Sequence, residues 1–300
     1  FQVSGKSSDN SSALAKHRVR VYQEAYLQIL RSAISAAGRR QGFTFNDGSS
    51  SLRLAVFNIL IAVLDYKEAT RATTILGARS AYPCPICLVP SDKLWDLSEV
   101  IYLRRTRDGV LLLIIRADEA PSKKAAKEIL NSQSIRNVSN TFLNYFSYFT
   151  SIYEAISADL LHQIELGVFG KHFWLWIISK GNNPGYLCSS ELDILDDNFK
   201  QLPPMPGIHH FPNGVVRLKY LTARELNTIL RYLPPLLIGI RDENDMDAIV
   251  IPALRELACT LLLGRFWVHT SDTLGLLQKH IRQFGMYSQV RGGIQTVDLN

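Results

Sequence analysis

From Leu52 to Asp65 the chain reads Leu-Arg-Leu-Ala-Val-Phe-Asn-Ile-Leu-Ile-Ala-Val-Leu-Asp, an almost uninterrupted apolar run with β-branched and aromatic members. Its second half fits a strand buried at the centre of a sheet with both faces covered. Periodicity alone is met equally by a buried helix. Asp65 closes the run, and residues 66–76 then read as a short helix. Most of the remaining chain reads as helix, with a few strands. Between residues 13 and 37, Val19, Tyr22, Ala25, Tyr26, Ile29, Leu30 and Ile34 recur mainly at three- and four-residue steps, which predicts an amphipathic helix stopped at Gly38. Residues 92–107, 118–130 and 141–154 also read as helical, residues 110–115 as a short strand and residues 42–51 as a loop. Ser157 offers an N-cap for a helix over residues 158–180, ended by Gly181-Asn182-Asn183-Pro184-Gly185. Thr222 caps a helix that Pro234-Pro235 breaks, and residues 247–263 and 270–286 form the last two. The expected class is α/β, helix-dominated.

Composition narrows the function classes. The 300 residues are 47% apolar and 20% charged, an ordinary globular balance that excludes a disordered or collagen-like chain. That length allows two domains, or one with an insertion. Four cysteines are too few for a disulfide scaffold, and two of them form Cys-x-x-Cys, which suits a reducing compartment. No apolar run reaches the roughly 18 residues a membrane span needs, so no membrane partner is expected. With 33 Lys+Arg against 27 Asp+Glu the net charge is +6, compatible with nucleic acid but no strong electrostatic footprint. The chain begins at Phe1 with no initiator Met or signal pattern, so it is expected to be a piece of a longer protein.

Four constellations carry chemistry. In Cys84-Pro-Ile-Cys87 two thiolates three positions apart on a proline-stiffened knuckle can face one Zn²⁺. They supply half a tetrahedral site, with Asp159, His162, His209 and His210 as candidates for the rest. The competing reading is a pair of ordinary buried cysteines, while Pro85 and Pro90 disfavour the helix a redox motif wants. Asp159 and His162 stand three apart and so share one helical face; the plain reading is a capped helix with a polar pair. Asp65, at the end of a core strand, is placed either as a metal-binding acid or as a turn residue. Glu256 lies in a largely apolar helix, where it serves as an acid or pairs with Arg255, Arg265 or a nearby Lys on a wet face. The aromatic group Phe142, Tyr145, Phe146, Tyr148 and Phe149 is expected to pack in the core rather than stack on bases.

The order of these motifs resembles the Plavaka transposases of fungi, in the Kyakuja–Dileera–Zisupton and CACTA-like group. The resemblance rests on Asp65-Tyr66-Lys67-Glu68, Cys84-Pro-x-Cys87-Leu-Val-Pro90, Asp159-Leu-Leu-His162-Gln163 with Gly167-x-Phe169-x-x-His172, and Phe211-Pro212-Asn213-Gly214. It covers about residues 18–288. It implies an incomplete RNase H-like core interrupted by a mainly helical insertion: residues 1–80 as the part of the core present, 81–235 as knuckle and insertion, and 236–300 as C-terminal helices. It also implies an ancestral reaction in which three acids hold two Mg²⁺ or Mn²⁺ ions for DNA cleavage and strand transfer. Asp65 matches the second acid and Glu256 the third, with Glu225 and Glu243 as alternatives for the third. Asp159 and His162 match an Asp-x-x-His motif of structural or DNA-positioning role, and Cys84 and Cys87 a structural zinc knuckle. Transposon-end DNA, a homo-oligomer and a nuclear location follow as expectations. Two departures stand out: no segment resembles the one bearing the first acid, and Lys67 replaces the usual Pro. The expectation is therefore a chain inactive by itself. The alternative is a non-catalytic, zinc-stabilised relic that binds DNA or protein.

Overall fold

The computed structural model describes residues 8–37, 43–46, 48, 52–55, 59–97, 101–145, 151–179, 185–240 and 247–289. Glu243, Phe146, Tyr148, Phe149 and the 181–184 stop signal lie outside the described residues. Helix dominates, and the chain divides into two compact units, residues 1–94 with 101–158, and residues 95–100 with 159–300.

In the first unit, α1 (Ser8–Ile29) and α2 (Arg31–Ala37) precede an antiparallel pair, β1 (Phe43–Asn46) and β2 (Leu52–Ala55), with Phe43 opposite Ala55. The expected 42–51 loop thus contains a strand. The apolar run does not become a buried central strand: β3 is only Ala62–Val63, paired in parallel with β4 (Ile156–Ser157). Leu60, Ile61 and Val63 are exposed, because among the described residues this sheet has two strands and leaves their side chains uncovered. Asp65 then caps α3 (Tyr66–Ala72).

The far end of α3 sets the interior of this unit. Gln23, only 3% exposed, donates to the carbonyls of Arg71 (2.8 Å) and Ala72 (3.3 Å) and accepts from the Thr141 N–H (2.7 Å). Asn140 donates to Ala72 O at 3.0 Å and the Tyr153 hydroxyl to Thr73 O at 3.3 Å. The carbonyls that a short helix leaves unpaired are thus satisfied by buried side chains from α1 and from residues 140–153. Ala69, Ala72, Ile75, Ile135, Phe142 and Ile152 close the apolar core around them.

Residues 110–115 belong to α4 (Arg107–Asp118), not to a strand. Thr106 accepts from Gly109 N–H at 3.1 Å to start it. Val110 and Ala117, one face of that helix, are buried, while Leu112 and Ile115 are exposed. The apolar run is therefore read at the helical period, with the excess left on the surface. A short α5 (Lys123–Asn131) follows, then α6 (Thr141–Tyr145) and α7 (Ile152–Ala155).

The second unit opens with a π-type helix, Leu161–Trp174, continued by α8 (Leu175–Ile178). Its Phe169, Phe173 and Trp174 enter a core shared with α9 (Ser189–Lys200), α10 (Ala223–Leu237) and α11 (Asp247–Gly264). α11 and α12 (Ser271–Gln289) form a helical hairpin. Pro234 and Pro235 do not break α10, which runs to Leu237. They fall in its last turn, where Pro234 is buried in the core and Asn198 donates to the Leu236 carbonyl at 3.2 Å.

The Phe211-Pro-Asn-Gly214 segment has a physical reason. Phe211 is buried edge-on against Phe199. Gly214 adopts φ +78°, and a Cβ there would lie 2.5 Å from the Asp196 carboxylate. That approach lets Asp196 Oδ1 accept both the Val215 (2.7 Å) and Val216 (2.8 Å) N–H groups. The turn leads into further turns.

Candidate functional site

In the first unit each residue of Asp65-Tyr-Lys-Glu68 except Lys67 has a fixed task. Asp65 Oδ1 accepts the Glu68 N–H at 2.6 Å as the N-cap of α3. The Tyr66 hydroxyl donates to Pro83 O at 3.1 Å, tying the helix start to the knuckle; burial, then the neighbouring Cys84, push this phenol up to about 12. Glu68 accepts from the Tyr26 hydroxyl at 3.0 Å, and burial followed by that carboxylate raises the Tyr26 phenol.

The knuckle is held by a residue that reading the sequence did not single out. Arg105, 2% exposed, donates from Nε to Cys84 O (2.8 Å) and from its two terminal nitrogens to Gln133 O (2.8 Å) and Tyr82 O (2.9 Å). Its main-chain N–H donates to Ile86 O at 2.8 Å and the Leu88 N–H to Leu103 O at 2.9 Å. Residues 103–105 therefore run extended beside the knuckle, where a helix over 92–107 was expected; among the described residues of that span a 3₁₀ turn at Ser91–Lys93 forms before α4 begins at Arg107. Ile86 N–H points at Cys84 Sγ, 3.4 Å away. Both cysteines are free and half-buried. Burial first, then the adjacent Cys84, hold the Cys87 thiol above its usual range, while the Val89 N–H and Arg105 pull it down. The one signal for Arg105 was its place in Arg104-Arg105-Thr-Arg107, which reads as a solvated face.

In the second unit, Asp159, not Ser157, starts the helix. Its Oδ1 accepts the Leu161 (3.0 Å) and His162 (3.3 Å) N–H groups, and its Oδ2 meets His162 Nδ1 at 2.6 Å. The carboxylate thus orients the ring with Nδ1–H toward it and Nε2 directed away, in a side chain half open to solvent. Burial raises the Asp159 carboxyl, but the bonds from the His162 ring and backbone outweigh it and leave it below the ordinary carboxylate range. A depressed carboxyl stabilises the fold above its unfolded pKa and loses that contribution as pH falls. The difference in urea midpoint between wild type and Asp159→Asn should therefore be present at about pH 6 and close toward about pH 3. A difference that widens on acidification would contradict this.

One turn further, Glu165 is 1% exposed and joins Asn227 Nδ2 (3.0 Å) and the Arg265 guanidinium. No sequence signal marked it beyond an acid inside an apolar stretch. The glycines of the same segment are steric: a Cβ at Gly167 would lie 2.8 Å from His162 O, and one at Gly170 2.8 Å from Leu226.

Glu256 is 3% exposed on α11, so the wet face expected of a surface pair is not its setting. Arg255 binds its Oε1 at 3.0 Å, as one reading of the sequence had it, and His280 Nδ1 from α12 binds Oε2 at 2.5 Å. Glu225 is occupied in the capping box of α10 with Thr222, and His209 Nε2 lies 3.6 Å from it; its carboxyl is held low by the Thr222 bonds. His209 also packs on Phe211, and His210 lies beside it. Among the described residues no three His, Cys, Asp or Glu side chains form a metal-holding group. Among the described residues no helix is long and apolar enough to cross a membrane.

The Plavaka transposase family model matches residues 3–177. No curated protein and no solved structure matches the chain. The match takes in α3 with Asp65, the Arg105-held knuckle, the Asp159–His162 pair and Glu165, and spans more than half of the sequence: the chain belongs to the Plavaka transposase family.

Proposed function

We propose that residues 1–300 are a transposase-derived module that holds transposon-end DNA in the nucleus without cutting it. The ancestral reaction is two-metal cleavage and strand transfer on an RNase H-like core, with residues 1–80 as the core segment, 81–235 as the insertion and 236–300 as the closing helices. The observation that carries the inactive reading is the state of Glu256. Both oxygens of this buried carboxylate are engaged, by Arg255 and His280, inside the α11–α12 hairpin. A carboxylate spent in this way does not fit a Mg²⁺ or Mn²⁺ position, which needs open oxygens beside water and substrate. Asp65 fits better, since Oδ1 alone serves the cap.

The DNA-holding reading rests on family membership and on the Asp159–His162 pair. When the imidazole is protonated, its Nε2–H can donate to a phosphate while Asp159 stabilises the cation. Cys84 and Cys87 fit two positions of a structural zinc, with the Ile86 N–H directed at one sulfur. Bound there, zinc would stiffen the turn that Arg105 already supports.

The test is electrophoresis of the purified chain with labelled transposon-end duplex and Mg²⁺ or Mn²⁺. A salt-sensitive complex with intact DNA is expected. Nicking abolished by Asp65→Ala would overturn the inactive reading, and absence of any complex at low salt would overturn the DNA-holding one. Metal analysis of wild type against Cys84→Ser tests the zinc separately, with equal content excluding Cys84 as a ligand.

A further inference from the structure

Cys84 and Cys87 stand on one turn that is tied down on both sides. Arg105 Nε donates to the Cys84 carbonyl at 2.8 Å and the Tyr66 hydroxyl to the Pro83 carbonyl at 3.1 Å, while the Leu88 N–H donates to Leu103 O at 2.9 Å. Within that frame the backbone aims one N–H at each sulfur. Ile86 serves Cys84 Sγ at 3.4 Å, Val89 serves Cys87 Sγ, and the two thiols hydrogen-bond to each other. The sulfurs are therefore neighbours before any bond or ligand joins them. Both side chains are free and half-buried rather than enclosed, so a small reagent can reach them. The turn is not helical, so no helix N-terminus activates either thiol as it would in a catalytic Cys-x-x-Cys. The pair is built to be oxidised by exchange, not to oxidise other proteins.

We infer that Cys84 and Cys87 form a dithiol–disulfide switch that decides whether the knuckle takes a metal. Reduced, both sulfurs can serve as zinc ligands; joined to each other, neither can. The oxidant is a low-molecular-weight disulfide, RSSR. One cysteine gives up its proton and attacks a sulfur of RSSR, which forms a mixed disulfide and releases RS⁻. The second cysteine gives up its proton and attacks the protein sulfur of that mixed disulfide, so the Cys84–Cys87 bond forms and a second RS⁻ leaves. The two released protons go to the two departing thiolates, giving two RSH, and two electrons pass from the protein to RSSR. Contact between the sulfurs favours the second step, because closing so short a loop between fixed neighbours costs little further chain entropy. The competition with zinc rests on the zinc reading above; the disulfide step does not.

The experiment equilibrates the full chain, reduced and freed of metal, with glutathione at a series of reduced-to-oxidised ratios, followed by acid quenching, intact mass and peptide mapping. Wild type should lose two hydrogens with Cys84 linked to Cys87, and keep no glutathione on either. Cys87→Ser should instead accumulate a glutathione adduct on Cys84, because the resolving thiol is gone; an unchanged urea midpoint excludes unfolding as its source. The exposed Cys188 forms an adduct in both and reports the reach of the reagent. Zinc added first should protect the pair, and zinc uptake should be lost in the oxidised chain, read by metal analysis. A lasting adduct on wild-type Cys84 or Cys87, or two free thiols there once Cys188 is fully modified, would overturn the switch; zinc uptake by that chain would leave the zinc reading standing. Disulfide formation in a chain that takes up no zinc when reduced would remove the zinc reading and the proposed competition with it. Equal zinc uptake before and after oxidation would place the metal elsewhere and overturn the proposal as well.

Discussion

Replacing Arg105 with Ala should lower the unfolding free energy by about 3–5 kcal/mol, read as a shift in urea midpoint. The guanidinium is almost fully enclosed and bridges three carbonyls from three places, Tyr82, Cys84 and Gln133. Burial pulls its pKa below the usual value, against a smaller opposing pull from the neighbouring Tyr153, Cys84 and Cys87. Truncation leaves those acceptors unpaired and opens a hole in the wall of the knuckle. Arg105→Lys should recover little, since one ammonium cannot span the planar fork. Because the same contacts hold residues 82–86 in place, the Cys84 and Cys87 thiols should also react faster with a thiol-specific reagent. A loss below about 1 kcal/mol with unchanged thiol rates would show that the knuckle holds itself.

Glu165→Ala should cost about 2–4 kcal/mol. Breaking a buried pair by removing one partner is expensive, because the remaining groups stay desolvated. Here the Asn227 amide, 7% exposed, loses its acceptor and the Arg265 guanidinium its counter-charge. Arg265 is 46% exposed and water compensates it in part, which sets the upper limit. Glu165→Gln keeps a hydrogen-bonding oxygen for Asn227 and should cost less than half as much. Equal losses for the two variants would place the whole effect in the charge. No loss for either would remove Glu165 as a link between the π-type helix, α10 and the end of α11.

How much of this was readable in advance differs by residue. In the second unit the helix after Thr222 and the last two were expected from local signals such as that cap, whereas α9 (Ser189–Lys200) was not foreseen. The run at 110–115 was misread as a strand since a short apolar run carries no period of its own; Thr106 and the burial of Val110 and Ala117 decided it. Pro234-Pro235 was misread as a break because a proline's cost depends on where in the helix it falls. Asp65, Cys84, Cys87, Asp159 and His162 were singled out because spacing within four positions limits which side chains can meet, and Asp159 and His162 do meet. Arg105, Glu165 and His280 were missed as functional candidates, since their partners lie 28, 100 and 24 positions away at the farthest.

The sequence by itself determined the family, the helix-dominated class and the short-range pairs, all of which depend on neighbours along the chain. Tertiary structure alone decided that Leu60, Ile61 and Val63 stand exposed, that Glu256 is enclosed between Arg255 and His280, that Arg105 is the post of the knuckle and that Trp267 is left bare. Burial and charge pairing are properties of the packed arrangement. The same Arg, Glu or Trp is a surface group or a buried keystone according to what distant segments bring against it.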